Sequence, residues 1–301
     1  MGVKVQKGLP AISALEDEGV VTCIEHGNST PLRIAVLNLM PIKITTETDL
    51  IRLLSSSPLP VEISLFEPAS HTSKTTPAEH LLRFYKKFEA FGADTFDGMI
   101  ITGAPLERVD FEDVDYWEEL KGVMDCARKY VRSTLYICWA AFAGLYNRYG
   151  ISKQLYEQKI SGVFAHHCDK PKSKIVNGFD DEFYVPHSRF IGFDRSEIET
   201  NKYLEVISSS DESGVYIIGE REGHDFYITG HSEYSPLTLD GEYKRDLAKG
   251  MNPQIPKNYY PENNPELPPI VRWRAHSRLL FNNWLNFYVS EKGVCGIEPV
   301  S

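Results

Sequence analysis

The chain has 301 residues, a length that one α/β domain can fill. Lys+Arg 32 against Asp+Glu 42 leaves a formal net charge of -10, which argues against a general nucleic-acid binder, and 42% hydrophobic with 25% charged residues is a globular rather than a disordered balance. No apolar run reaches the roughly 18 residues of a spanning helix, no signal peptide is legible, and the cysteines (Cys23, Cys126, Cys138, Cys168, Cys295) form no CxxC, which together imply a reduced, cytoplasmic setting without a membrane.

Residues 1–30 mix charge and glycine without a period and read as an irregular leader to a single α/β domain over 31–290, with 291–301 as a tail. Residues 32–40 form a short apolar run closed by Pro41, a buried strand by length and flanks. Thr46-Glu47-Thr48-Asp49 resembles a capping box and predicts a helix carrying Leu50, Ile51, Leu53 and Leu54. Residues 61–66 alternate and predict a second strand, and Thr76-Pro77-Ala78-Glu79 predicts a helix start. A third strand over 97–103, a helix from Asp115 to about Val131 and a fourth strand over 134–137 complete a β-α-β-α rhythm. That rhythm predicts a mainly parallel central sheet flanked by helices, with ligands beyond the carboxyl ends of the strands. After a polar middle, strands are expected near 206–208, 215–218 and 226–229, locally antiparallel. A Pro- and Asn-rich surface loop over 252–269 precedes a final helix near 273–288.

Cys138 is the first chemical candidate. It follows a strand and precedes the small-residue helix start Trp139-Ala140-Ala141, the arrangement of a nucleophile elbow. A helix amino end there favours thiolate over thiol. Taken alone, a strand-end cysteine is more often core filler. Thr229-Gly230-His231-Ser232-Glu233 shifts the balance, because His231 and Glu233 project to one side of an extended chain, and a carboxylate-oriented histidine is the usual base for a cysteine nucleophile. His166-His167-Cys168-Asp169 has poor spacing for zinc and reads as a polar loop, so no metal is expected. Thr102-Gly103-Ala104-Pro105 lacks GxGxxG or Walker spacing, and the acidic run 107–119 reads as a solvated face except at Glu107.

Ile137-Cys138-Trp139-Ala140-Ala141, Thr229-Gly230-His231-Ser232-Glu233-Tyr234 and Asn38-Leu39-Met40-Pro41-Ile42-Lys43 together resemble the homoserine O-acyltransferases of methionine biosynthesis, over roughly residues 1–290. The resemblance implies a class I glutamine amidotransferase-like fold and ping-pong acyl transfer from acyl-CoA to L-homoserine through a thioester. No other cofactor is implied, and a homodimer is expected. By resemblance, Cys138 takes the acyl group, His231 is the base, Glu233 orients it, and Lys159, Ser188 and Arg245 bind homoserine. The family commonly carries glycine and then glutamine where this chain has Ala140 and Phe142 beside the nucleophile. Glycine after Gly-Ala-Pro-Leu goes with succinyl-CoA in the family and glutamate with acetyl-CoA; the chain reads Gly103-Ala104-Pro105-Leu106-Glu107. The physics agrees, since two unit negative charges at ~4 Å and an effective dielectric of ~20 repel by about 4 kcal/mol. The expectation is therefore homoserine O-acetyltransferase activity. The alternatives are succinyl transfer, a glutaminase or cysteine peptidase using the same three residues, and a non-catalytic binding protein on the same fold.

Overall fold

The structure is a computed structural model that describes residues 2–20, 30–71, 73, 75–88 and 95–290. The strands are β1 (Val3–Lys4), β2 (Leu32–Leu37), β3 (Val61–Glu67), β4 (Tyr85–Lys87), β5 (Gly98–Ile101), β6 (Ser133–Ile137), β7 (Gln154–Cys168), β8 (Phe183–Gly192), β9 (Leu204–Ser210), β10 (Gly214–Glu220) and β11 (Asp225–Ile228). The helices are α1 (Pro10–Asp17), α2 (Lys43–Leu54), α3 (Ala78–Phe84), α4 (Trp117–Tyr130), α5 (Trp139–Tyr149), α6 (Arg195–Glu199), α7 (Thr238–Ala248) and α8 (Arg274–Trp284).

The strands join in the order β1-β3-β2-β5-β6-β11-β10-β9-β7-β8, and β4 also pairs β3. Pairing is parallel from β1 through β6 to β11 and antiparallel from β11 through β10, β9 and β7 to β8. This is the mainly parallel α/β sheet expected from the sequence. Two apolar layers fill the space between the sheet and its helices. One holds Leu37, Ile101, Trp117, Trp139 and Phe142; the other holds Ile34, Val36, Leu54, Phe281 and Trp284. The parallel strands are buried on both faces, so they read as continuous apolar runs rather than alternating ones.

Several local expectations are corrected. The leader is not irregular throughout: β1 pairs β3, and Val3, Leu9, Ala11 and Leu15 are buried, so residues 3–17 belong to the domain core. The expected irregularity there missed Pro10 at the first helical position, which presets the helix backbone. Residues 21–29 and the expected tail 291–301 lie outside the described residues. Helix α2 begins at Lys43 rather than after Thr46, because its first amide is capped from a distance: Lys43 N–H donates to Thr76 Oγ1 at 3.2 Å. Thr46 is thus an interior residue. Thr76 also donates to the Pro41 carbonyl at 2.9 Å, so its hydroxyl ties two segments together instead of capping α3. The last helix ends at Trp284 and continues as a wider π turn over Leu285–Val289.

The polar middle holds the long hairpin β7–β8, which the sequence reading missed. Its outer half is exposed on both faces, so no alternation marks it. His166 through Cys168 close β7 instead of forming a loop. His166 and His187 stack with Nε2 atoms 3.1 Å apart, and burial pushes the His166 pKa down to about 3 and the His187 pKa well below its ordinary value. The 252–269 segment is irregular as expected, yet it is not merely a surface loop: Tyr259 and Tyr260 are buried, and Lys257 pairs its backbone with Ser161 and Val163 of β7 at 2.9 and 2.8 Å.

Candidate active site

The ends of β2, β5, β6 and β11 come out at one edge, and their register decides what meets there. Leu37 pairs Ile101, Ile101 pairs Tyr136, and Ile137 pairs Ile228. Cys138 therefore leaves β6 beside the strand that runs on to His231. Its backbone stands at φ 50°, ψ -118°, a left-handed region that costs a non-glycine residue on the order of 1–3 kcal/mol. Hydrogen bonds hold it there: Cys138 N–H donates to the Ile228 carbonyl at 2.7 Å, and Ala141 N–H donates to the Cys138 carbonyl at 2.8 Å. Helix α5 starts at the next residue, so its positive end sits at the thiol. Gly103 makes room for this turn; a Cβ there would stand 3.2 Å from the Cys138 Cβ.

His231 is buried, and its Nδ1 lies 2.6 Å from Glu233 Oε1. Burial alone would lower the imidazole pKa. A Cys138 thiolate and the Glu233 carboxylate outweigh that penalty, through charge and hydrogen bonding, and hold it well above the ordinary histidine value. One contact fixes the ring and one fixes the backbone that carries it. Tyr234 stacks on it at 4.1 Å between centroids, and His231 N–H donates to the Pro186 carbonyl of β8 at 2.8 Å. Gly230 is the close-approach point, because a Cβ there would meet Val185 at 2.8 Å and His187 at 3.0 Å. Cys138, His231 and Glu233 thus come together as the sequence predicted.

Lys159 and Ser188 lie across the base of the β7–β8 hairpin and converge on Glu242 of α7, a residue the sequence reading did not single out. Glu242 accepts hydrogen bonds from the Ser188 hydroxyl and, at 2.8 Å, from the Tyr234 hydroxyl, while Lys159 Nζ stands 3.4 Å away. Lys159 also lies 3.5 Å from Asp246, and Arg245 pairs with Asp246 at 2.7 Å. The missed signal was the helical spacing of Glu242, Arg245 and Asp246, which puts Glu242 and both later residues on neighbouring turns. A cavity of about 440 Å³ opens over these groups, lined by Gly103, Ile137, His231, Glu233, Glu242 and Arg245 among others.

Glu107 is not part of a solvated run. It leaves the Gly103–Leu106 turn half-buried and accepts the Phe190 N–H of β8 at 2.9 Å. Burial raises its pKa, opposed by that hydrogen bond and by the nearby Lys159 and His231, so it belongs electrostatically to the same site. The motif Asn38–Lys43 walls the cavity. Lys43 donates its ammonium to the Asn38 carbonyl, and Asn38 Nδ2 donates to Tyr85 Oη at 2.9 Å, whose hydroxyl in turn donates to Glu47 at 2.6 Å.

Among the described residues, Glu220, His224 and Asp225 bring metal-type ligand atoms within 4.8 Å of one another. Arg128 already pairs with Glu220 and lies 3.8 Å from Asp225, and Arg148 stands 3.4 Å from Glu220. That cluster sits where β11 begins, at the opposite end of the strand from His231. Among the described residues no helix is long and apolar enough to cross a membrane.

The sheet order, with the β6–α5 turn at its centre, defines a class I glutamine amidotransferase-like fold. A glutamine amidotransferase of known structure from Thermotoga maritima superposes with a TM-score of 0.57 at 13% identity, covering 87% of this chain and 100% of that one. Another from Methylobacillus flagellatus superposes at 0.53 with 11% identity, covering 89% and 99%. The sequence is far more specific than the fold. The profile of the homoserine O-succinyltransferase family matches residues 2–294, and the chain belongs to that family. A homoserine O-acetyltransferase of Bacteroides fragilis (strain YCH46) is 52% identical over 305 residues, 100% of both chains. One of Acetivibrio thermocellus is 49% identical over 296 residues, 97% of each.

Proposed function

We propose that this chain is a homoserine O-acetyltransferase that works through an acetyl thioester on Cys138. The observation that carries the mechanism is the hydrogen-bonded line from Glu233 through His231 to a thiol held at a strained strand end. In the first half-reaction the Cys138 thiolate attacks the acetyl-CoA carbonyl, and the imidazolium gives its proton to the departing CoA thiolate. In the second, neutral His231 takes the proton from the homoserine hydroxyl as its oxygen attacks the thioester. Glu233 keeps Nδ1 protonated and so aims Nε2 at the reacting atoms. The partial positive charge at the start of α5 favours both the thiolate and the oxyanion that follows.

The amino-acid side has matching charges. Arg245 is held by Asp246 through Nε and Nη2 and keeps its Nη1–Nη2 end for the homoserine carboxylate, Glu242 offers a carboxylate to its ammonium, and Lys159 and Ser188 brace Glu242. No cofactor beyond the acyl-CoA co-substrate enters this reading, and we carry with it a homodimer in the cytoplasm, checked by light scattering and by fractionation.

The family's description names succinyl transfer, and the relatives about half identical to this chain are named for acetyl transfer. Glu107 favours acetyl. Its carboxylate adds bulk and like charge where a succinyl carboxylate would lie, and even a quarter of the ~4 kcal/mol repulsion gives about fivefold discrimination. Two measurements test the proposal. Acetyl-CoA should add one acetyl mass to the protein at Cys138, and homoserine should remove it as O-acetylhomoserine; no increment and no product would overturn the reading. The kcat/KM ratio for acetyl-CoA over succinyl-CoA should fall by fivefold or so in Glu107→Gly; a native enzyme that prefers succinyl-CoA would reverse the donor assignment.

A further inference from the structure

A second cavity, of about 630 Å³, lies directly against the first. The two share Thr45, Asp49, Glu233, Tyr234 and Ser235 as walls, which sets them side by side. Acyl-CoA is a long ligand: a small acyl thioester at one end, a slender pantetheine arm, and an adenosine carrying a diphosphate and a 3′-phosphate at the other. On a chain of net charge -10 the phosphate end needs local cations.

The far wall of the second cavity supplies them. Arg274 and Arg278 stand one turn apart on α8, both exposed, and neither closes an ion pair with any described residue, although, after the hydrogen bond from Arg52, the charge of Arg274 helps to hold the Glu18 carboxyl on the same wall below its ordinary range. Like charges at this spacing repel, and an anion between them relieves the repulsion. Arg52 on the same wall is committed elsewhere, bonded to Glu18 at 2.7 Å and to Asp49 at 2.6 Å. The pair is also rigidly placed relative to the chemistry. Trp273, the residue before α8, is buried and donates its indole N–H to the Tyr234 carbonyl at 2.9 Å, and Tyr234 stacks on His231. The other cavity that borders the catalytic one, about 430 Å³ beyond Met40 and Pro41, is less suited to an anion. Both cavities carry carboxylates, Asp113 and Asp115 here against Glu18, Asp49 and Glu233 in the second, but no described arginine lines this one and the ammonium of its Lys43 is already taken by the carbonyl of Asn38.

We infer that Arg274 and Arg278 form a phosphate site for the nucleotide end of the acyl-CoA donor, in the cavity behind Tyr234 and Ser235. Two guanidinium forks suit phosphate oxygens better than point charges would. The inference rests on the acyl-transfer reading above, and it adds where the donor's handle is held and which residues hold it.

The test compares acetyl-CoA with acetyl-pantetheine, a thioester donor without the adenosine phosphates. For the native enzyme kcat/KM should be higher with acetyl-CoA, and adenosine 3′,5′-bisphosphate should inhibit competitively against it. In the Arg274→Ala/Arg278→Ala double variant, kcat/KM for acetyl-CoA should fall about tenfold or more while that for acetyl-pantetheine stays within about twofold, and inhibition by the bisphosphate should disappear. Arg274→Lys/Arg278→Lys should keep an intermediate preference. An equal fall with both donors would mean that the arginines support only the fold, and no change with either would place the phosphates elsewhere; both outcomes overturn the inference. If neither donor acetylates native Cys138, the acyl-transfer reading fails by itself. Calorimetric titration with adenosine 3′,5′-bisphosphate then decides the site alone: binding by the native protein that is lost in the double variant supports it, and equal or absent binding overturns it.

Discussion

In the parallel half of the sheet, from β1 to β6 and β11, strands run straight to the site edge and their backbone register places Cys138 beside the His231 segment. In the antiparallel half, from β10 to β8, the strands reach the site sideways, and the β7–β8 hairpin places groups mainly through side chains: Lys159 and Ser188 gather on Glu242, while one backbone contact, from the His231 amide to the Pro186 carbonyl, joins the two halves. The first half builds the reactive group with backbone geometry, which tolerates many side chains behind it. The second builds recognition from long polar side chains, which tolerate few. On the proposed mechanism, chemistry and selectivity then fall to separate parts of one sheet.

Substitutions can break or sharpen this division. The largest effect is expected for Cys138→Ser, which should abolish thioester formation while leaving the melting temperature nearly unchanged; wild-type turnover by this variant would remove the parallel half from the chemistry. His231→Ala should lower kcat/KM by ~10²–10⁴-fold, and Glu233→Gln by less. The second change also moves a pH profile. Removing the carboxylate lowers the His231 pKa, so the alkaline limb of kcat/KM should shift to lower pH; an unmoved limb would mean that Glu233 does not set the imidazole. The linked stability has the same sign: a histidine with a raised folded pKa stabilises below its ordinary value and loses that contribution as pH rises through the folded one.

Gly230→Ala tests the seam between the halves. The new methyl would push against Val185 and His187 of β8, so the His231 segment should shift and kcat/KM should fall about 10–100-fold, with a lowered melting temperature. Native kinetics in a folded Gly230→Ala protein would show that the hairpin does not position the base. The smallest effect is expected for Arg245→Lys, which exchanges a fork for a point charge and should raise the homoserine KM severalfold at nearly constant kcat. A rise in the acetyl-CoA KM instead would exchange the two subsites.

The parallel half was legible in the sequence for the same reason that it is robust. Two-sided burial turns 32–37, 98–101 and 133–137 into compact apolar runs, and the elbow at Cys138 follows from a strand meeting a small-residue helix start. The antiparallel half was half-legible. β9, β10 and β11 are buried and stood out, whereas β7 is exposed along its outer length and carries no period. Two determinants were nonlocal and so invisible to pattern: the cap on α2 comes from Thr76, and the partner of Lys159 and Ser188 is Glu242, 83 and 54 residues away. Lys159 and Ser188 themselves were named through the family resemblance rather than from any local signal, and Glu242 was not named at all.

The contacts that fix Glu107 and His231 also decide how the sheet ends. β8 is the last strand in the order, and an outermost strand with unpaired amides and carbonyls is a template for another chain. Here two of its groups are occupied from within, the Pro186 carbonyl by the His231 amide and the Phe190 amide by Glu107, and position 186 has no amide to offer because it is proline. At the opposite margin, β3 is bordered by β1 and β4, two and three residues long, too short to recruit a partner strand. The contacts that hold the site thus also occupy part of the β8 edge. Glu107→Gly would uncover the Phe190 amide as well as open the pocket, so this variant is expected to self-associate more readily than the native protein, which light scattering would show.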